Sequence, residues 1–133
     1  MAIKYFWYFL LIPFVLFSCN KDHENERTLE EIEVRVKNTS TFIFDSTHVY
    51  FNTLNNQGYN YGSMSPQSVT EYIKYDHGYS PAWVWIKANN IVYEYTPFDV
   101  HEILSEGKYT LELAIDTIIP GTVPIRYNLV KDN

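Results

Sequence analysis

The chain has a single thiol, Cys19, and its surroundings pose the first chemical question. An apolar run from Tyr5 to Phe17, interrupted by Pro13, stops just before it, and "NKDHENE" follows it at once. A thiolate is a far better nucleophile than a hydroxyl, so a cysteine at that junction is a reactive position. The other groups able to do chemistry do not converge. His23 sits in the charged stretch as a solvated polar residue, and His48, His77 and His101 lie in three separate segments. None has H-x-H or H-E-x-x-H spacing, so no metal site is expected. There is no G-x-S-x-G elbow, no Gly-rich phosphate loop and no calcium loop of alternating acids. Asp76, Asp99, Glu102 and Glu106 lie near bends and read as solvated turn formers rather than a glycosidase pair. The chain is read as non-enzymatic, with no cofactor.

Aromatic residues are the conspicuous excess. Beyond residue 18 there remain ten Tyr, two Trp and four Phe in 115 residues. Trp83 and Trp85 alternate with Val84 and Ile86 and share a face with Lys87 and Glu94. If that face meets solvent, the two indoles form a stacking platform for a sugar ring or a partner protein. The alternative is that the two faces are the other way round, or that the sandwich bends so that both are covered. Tyr59 and Tyr61, within "NNQGYNYGSM", have the composition of an adaptable binding loop, unless they fold back over a sheet end. Ile118 and Ile119, beside the Pro120-Gly121 turn, either cap the domain or protrude as an inhibitor loop would. The candidate ligands are therefore an extracellular carbohydrate or a protein, and the contrasting reading is a hydrolase inhibitor or immunity-type protein.

The elements that must carry these residues are strands. "LEEIEVRVKN" places Ile32, Val34 and Val36 on one face, and "HVYFNT" sets Val49 and Phe51 against His48, Tyr50 and Asn52. "PAWVWIKANNIVYEYT" predicts a hairpin about Asn89-Asn90, with Ala88 opposite Ile91, Ile86 opposite Tyr93 and Val84 opposite Tyr95. "SVTEYIKY" is a mixed strand, and "PFDVHEILSEG" is a bend of about one helical turn capped by Asp99. Tyr109, Leu111, Leu113 and Ile115 share a strand face, and Ile125, Tyr127 and Leu129 close the domain. Seven or eight short strands with turn residues between them predict one antiparallel β-sandwich, immunoglobulin-like or transthyretin-like, over residues 29–133.

Ahead of it lie a leader and a tether. Lys4, the apolar run and Ser18 have the pattern of a secretory signal, too short for a membrane span. "LFSC" resembles the lipobox of bacterial lipoproteins. That resemblance implies removal of residues 1–18, lipidation of Cys19 and attachment to a membrane by acyl chains worth about 0.8 kcal/mol per buried methylene. Residues 19–28 then form an acidic, solvated tether. Acids directly after the cysteine resemble the export signal of surface lipoproteins in Bacteroidota, which implies the outer face of the outer membrane; a periplasm-facing anchor is the alternative. With residues 1–18 gone, 16 acids face 9 bases, a net charge of −7 that argues against nucleic acid as a partner.

"IEVRVKNTSTFIFDS" and "PFDVHEILSEGKYTLEL" together resemble a group of small Bacteroidota lipoproteins with an N-x-S-x-F-x-F start and a later G-K-Y-T-Y-x-L strand. Asn38, Ser40, Phe42 and Phe44 match the first string; Gly107, Lys108, Tyr109, Thr110 and Leu113 match the second. His101 stands where glycine is expected. The resemblance implies an anchored all-β domain and brings no activity. "DST" (Asp45–Thr47) and "DTI" (Asp116–Ile118) resemble the O-glycosylation sequon of exported Bacteroidota proteins.

Overall fold

The computed structural model describes residues 29–52, 57–98, 102–116 and 124–133. They form ten strands: β1 (Ile32–Asn38), β2 (Phe44–Asn52), β3 (Gln57–Met64), β4 (Ile73–Tyr75), β5 (Tyr79–Ser80), β6 (Trp83–Ala88), β7 (Ile91–Tyr95), β8 (Glu102–Ile103), β9 (Gly107–Ile115) and β10 (Ile125–Lys131). The first sheet runs β10-β9-β1-β4, the second β3-β2-β6-β7, and β5 pairs with β8 alone. Among the described residues no helix is long and apolar enough to cross a membrane. The all-β sandwich is as expected, with one departure: β1 and β9 run parallel, Val34 opposite Tyr109.

Alternation builds the core. β1 buries Ile32, Val34, Val36 and Asn38 completely and leaves Glu33, Arg35 and Lys37 outside. β6 buries Val84, Ile86 and Ala88, and β9 adds Tyr109, Leu111, Leu113 and Ile115. These faces meet in one cluster spanning both sheets, where each Val, Leu or Ile contributes about 1.5–3 kcal/mol by leaving water. The β6–β7 hairpin has the expected register, with Ala88 opposite Ile91 and Val84 opposite Tyr95. Asn89 and Asn90 both take positive φ, 52° and 61°, as a two-residue turn between right-twisted strands requires.

Three expectations are corrected. "NNQGYNYGSM" is not a displayed loop: residues 57–64 form β3, held along β2. The bend at "HEIL" contains strand β8, because Tyr79 and Ser80 offer an edge to Glu102 and Ile103; Asp99 and His101 fall outside the described residues. "SVTEYIKY" is strand only at Ile73–Tyr75, and Val69 makes an isolated bridge to Lys37 with its side chain exposed.

Both family-like strings prove structural in what they touch. Asn38 Nδ2 faces the carbonyls of Phe42, Met64 and Ser65 at 2.8, 3.3 and 3.2 Å. Its Oδ1 accepts from the Ser40 amide at 3.0 Å and the Ser40 hydroxyl at 2.7 Å. One side chain thus ties the end of β1 to the start of β2 and the end of β3. Gly107 has φ +145°, a backbone conformation that residues with a side chain rarely adopt.

Two buried tyrosines join the sheets. Tyr61 of β3 donates to the Val34 carbonyl at 3.1 Å, Tyr75 of β4 donates to the Val49 carbonyl at 3.2 Å, and the two hydroxyls lie 3.1 Å apart. Burial raises both pKa values, so both stay protonated. Each therefore keeps the hydrogen that its carbonyl partner needs.

The core also holds a defect. Thr47 is fully buried, and its Oγ1 has no hydrogen-bond partner among the described residues. Thr47→Val keeps the shape and removes an orphaned hydroxyl, so it is expected to stabilise the domain by about 1 kcal/mol. An upward shift of the urea midpoint checks this.

On the outer face of the first sheet, Asp132 accepts from Tyr72 at 2.5 Å and from Thr110 at 2.8 Å, with Arg35 3.7 Å away. The Tyr72 hydrogen bond, foremost, holds the Asp132 carboxyl below its ordinary range. A depressed folded pKa means stability that is present above the unfolded value of about 3.9 and lost as pH falls through the folded one. Asp132→Asn is therefore expected to melt earlier than the parent at pH 7 and to match it in strong acid. The group is partly solvated, so the difference stays within about 1 kcal/mol.

Candidate functional site

The outer face of the second sheet carries the aromatic residues. β2 and β6 are antiparallel neighbours, with Tyr50 opposite Trp83 and His48 opposite Trp85. Since Val49 and Val84 point into the core, the pleat sends these four rings outward, all of them half-buried. Two rows result. One runs Gly58, Tyr50, Trp83; the other runs Asn60, His48, Trp85, Glu94.

The rings hold one another in place. Tyr50 and Trp83 have centroids 4.4 Å apart with planes tilted by 32°, and His48 meets Trp85 edge-on at 4.9 Å. Tyr50 leans over β3 because Gly58 leaves room: a Cβ there would lie 2.1 Å from the ring. Trp83 Nε1 donates to Glu94 Oε1 at 2.8 Å, and Thr96 Oγ1 donates to the same oxygen at 2.9 Å. The indole is thus fixed from β7 while its ring leans towards Tyr50. Between the four rings lies a shallow recess of about 220 Å³. That is smaller than a drug-sized pocket of roughly 300–1,000 Å³, and suits a ring resting on aromatic surface.

The polar fringe suits hydroxyl groups. Asn60 Oδ1 accepts from the Gly62 amide at 2.8 Å and from the Ser46 hydroxyl at 3.5 Å, and its Nδ2 is a donor at the rim. Glu94 offers acceptor oxygens on the far side. Ser46 and Lys87 stand opposite each other one step further along β2 and β6.

A second recess, about 340 Å³, lies on the outer face of the first sheet among Thr39, Glu112, Ala114, Arg126, Tyr127 and Asn128. Its charges are already satisfied. Glu112 holds Lys37 at 3.0 Å and Asn128 at 3.0 Å, which lowers its pKa, Lys37 most strongly. Arg126 holds Asp116 at 2.7 Å. Burial pushes the Tyr127 hydroxyl up to about 12, and it accepts from the Ala82 amide. Such a site has little left with which to bind.

Of the sequence-predicted site residues, Trp83 and Trp85 stand together on the outer face. Tyr59 and Tyr61 do not join them. Tyr61 is a buried bridge between the sheets, and Tyr59 packs edge-on against Tyr75 at 4.8 Å, because both face inward from β3. Cys19, Ile118 and Ile119 lie outside the described residues. His48 and Tyr50 were not among the expected site residues. Their shared face was legible in "HVYFNT", but the neighbouring strand was not. Of the sequon-like strings, Ser46 is half-buried on the outer face and Thr117 falls outside the described residues. Among the described residues no three His, Cys, Asp or Glu side chains gather as a metal site.

No protein-family model matches the chain, and no curated protein matches it. Among solved structures, the NMR structure of a protein from Eubacterium rectale is similar, with a TM-score of 0.48 and 11% identity over 77% of this chain and 91% of that one.

Proposed function

We propose that this chain is a lipid-anchored outer-membrane lipoprotein, displayed on the cell surface, whose β-sandwich is a non-catalytic module binding an extracellular carbohydrate. The observation that carries the binding reading is the recess between His48, Tyr50, Trp83 and Trp85. Pyranose rings present apolar C–H faces that rest on aromatic rings, while their hydroxyls need donors and acceptors at the rim. Asn60 and Glu94 stand at that rim on strands β3 and β7. The anchor rests on the sequence "LFSC" and the surface location on the acidic "NKDHENE" that follows.

Two experiments test the parts separately. Metabolic labelling with palmitate should mark the wild-type protein and not a Cys19→Ser variant, and protease shaving of intact cells should release peptides of the domain. For binding, the full-length lipoprotein in detergent is titrated with a panel of oligosaccharides. Saturable binding accompanied by a change in tryptophan fluorescence is expected. Absence of binding to any glycan would remove the carbohydrate reading and leave the anchor standing.

A further inference from the structure

Resting on the carbohydrate reading, one basic side chain narrows the class of sugar. Arg35, Lys37, Lys74, Lys108 and Arg126 each hold a carboxylate within 4 Å. Lys131 Nζ donates to Ser105 Oγ and to the Glu106 carbonyl, both at 2.8 Å. Lys87 alone among the described lysines and arginines has neither an ion pair nor a hydrogen bond. In a chain whose net charge is −6, carboxylates to pair with are plentiful. This free ammonium is on the aromatic face, on a residue two positions along β6 from Trp85, a rise of about 6.4–6.8 Å, with Ser46 opposite it on β2.

We infer that the patch selects an anionic hexopyranose, whose ring rests on Trp85 while its carboxylate or sulfate meets Lys87. The charges facing the site set the direction. Glu94 stands opposite Trp85 on β7, whereas Lys87 stands opposite the uncharged Val92. An anionic substituent is therefore repelled from the Glu94 side and drawn to the Lys87 and Ser46 end. An ammonium is a point charge with three donors and serves a carboxylate or a sulfate equally well. The shared chemistry is thus a negative group on the ring, carried by a hexuronic acid or a sulfated hexose.

The test uses the full-length lipoprotein in detergent and three tetrasaccharide probes: a hexuronate, its carboxyl-reduced neutral counterpart and a sulfated form of the latter. Calorimetric titration is expected to show at least about tenfold tighter binding of an anionic probe over the neutral one, the scale of one charge-assisted hydrogen bond. In Lys87→Gln the ratio should fall to about one, and high salt should narrow it in the parent. Preference for one anionic probe over the other supports the inference and names the source of the charge. Equal binding of charged and neutral probes, or a preference that survives in Lys87→Gln, overturns it while the carbohydrate reading stands. If no probe binds but other glycans do, the anionic specificity is likewise overturned; if no glycan binds at all, the carbohydrate reading itself falls.

Discussion

Asn38→Asp is expected to destabilise the domain by about 3–5 kcal/mol at pH 7, a large share of the 5–15 kcal/mol typical of a domain. The substitution changes the shape almost not at all. It replaces an NH₂ group that faces three carbonyl oxygens, those of Phe42, Met64 and Ser65, with a carboxylate oxygen that repels all three. The site is fully buried, so water cannot screen the conflict. Because the charged form is disfavoured, the new carboxyl has a folded-state pKa raised above its unfolded value of about 3.9. A raised acid pKa costs stability above the folded value, and that cost fades as pH falls towards the unfolded one. The deficit relative to the parent should therefore shrink between pH 7 and pH 4. Urea denaturation of both proteins at the two pH values measures it. A deficit that is absent at pH 7, or does not change with pH, would show that the amide is not the junction described above.

The second large effect concerns binding. Trp85→Ala is expected to weaken oligosaccharide affinity about 30-fold or more, the consequence of losing about 2 kcal/mol at a central aromatic anchor. Trp83→Ala should also weaken binding, and it should do so partly through Tyr50, whose ring loses the neighbour it stacks on at 4.4 Å. The fold should persist in both variants, because Val84 and Ile86, not the tryptophans, fill the core from this strand. Far-UV circular dichroism and thermal melts establish that. Asn128→Ala, on the opposite sheet, serves as a control and should bind as the parent does. Unchanged affinity in Trp85→Ala would move the binding surface elsewhere on the domain.

The alternation of side chains was enough to read β1, β6, β7, β9 and β10 and most of their faces. In "IEVRV" every second residue is β-branched and charges alternate with them, so a period of two leaves one choice of inside, whereas "WVWIKA" is apolar on both faces and only the burial of Val84, Ile86 and Ala88 settles which one is inner. The Asn89-Asn90 hairpin was legible to the residue because a two-residue turn fixes its own register locally. Tyr59 and Tyr61 were misread for the opposite reason. Asparagine, glycine and serine around them signal a loop when taken locally, yet the ladder to β2 supplies the hydrogen bonds that make the segment a strand.

What only the tertiary structure decided is adjacency. Strand pairing is made by contacts between residues distant in sequence, such as the parallel β1–β9 pair and the union of β2 with β6. Periodicity places His48 and Tyr50 on one face and Trp83 and Trp85 on another, but it carries no term for which strand lies beside which. The aromatic recess, the freedom of Lys87 and the inward turn of Tyr61 all arise from that pairing. The proposed leader and tether rest on no such pairing, only on an apolar run, a cysteine and a cluster of acids in the sequence itself.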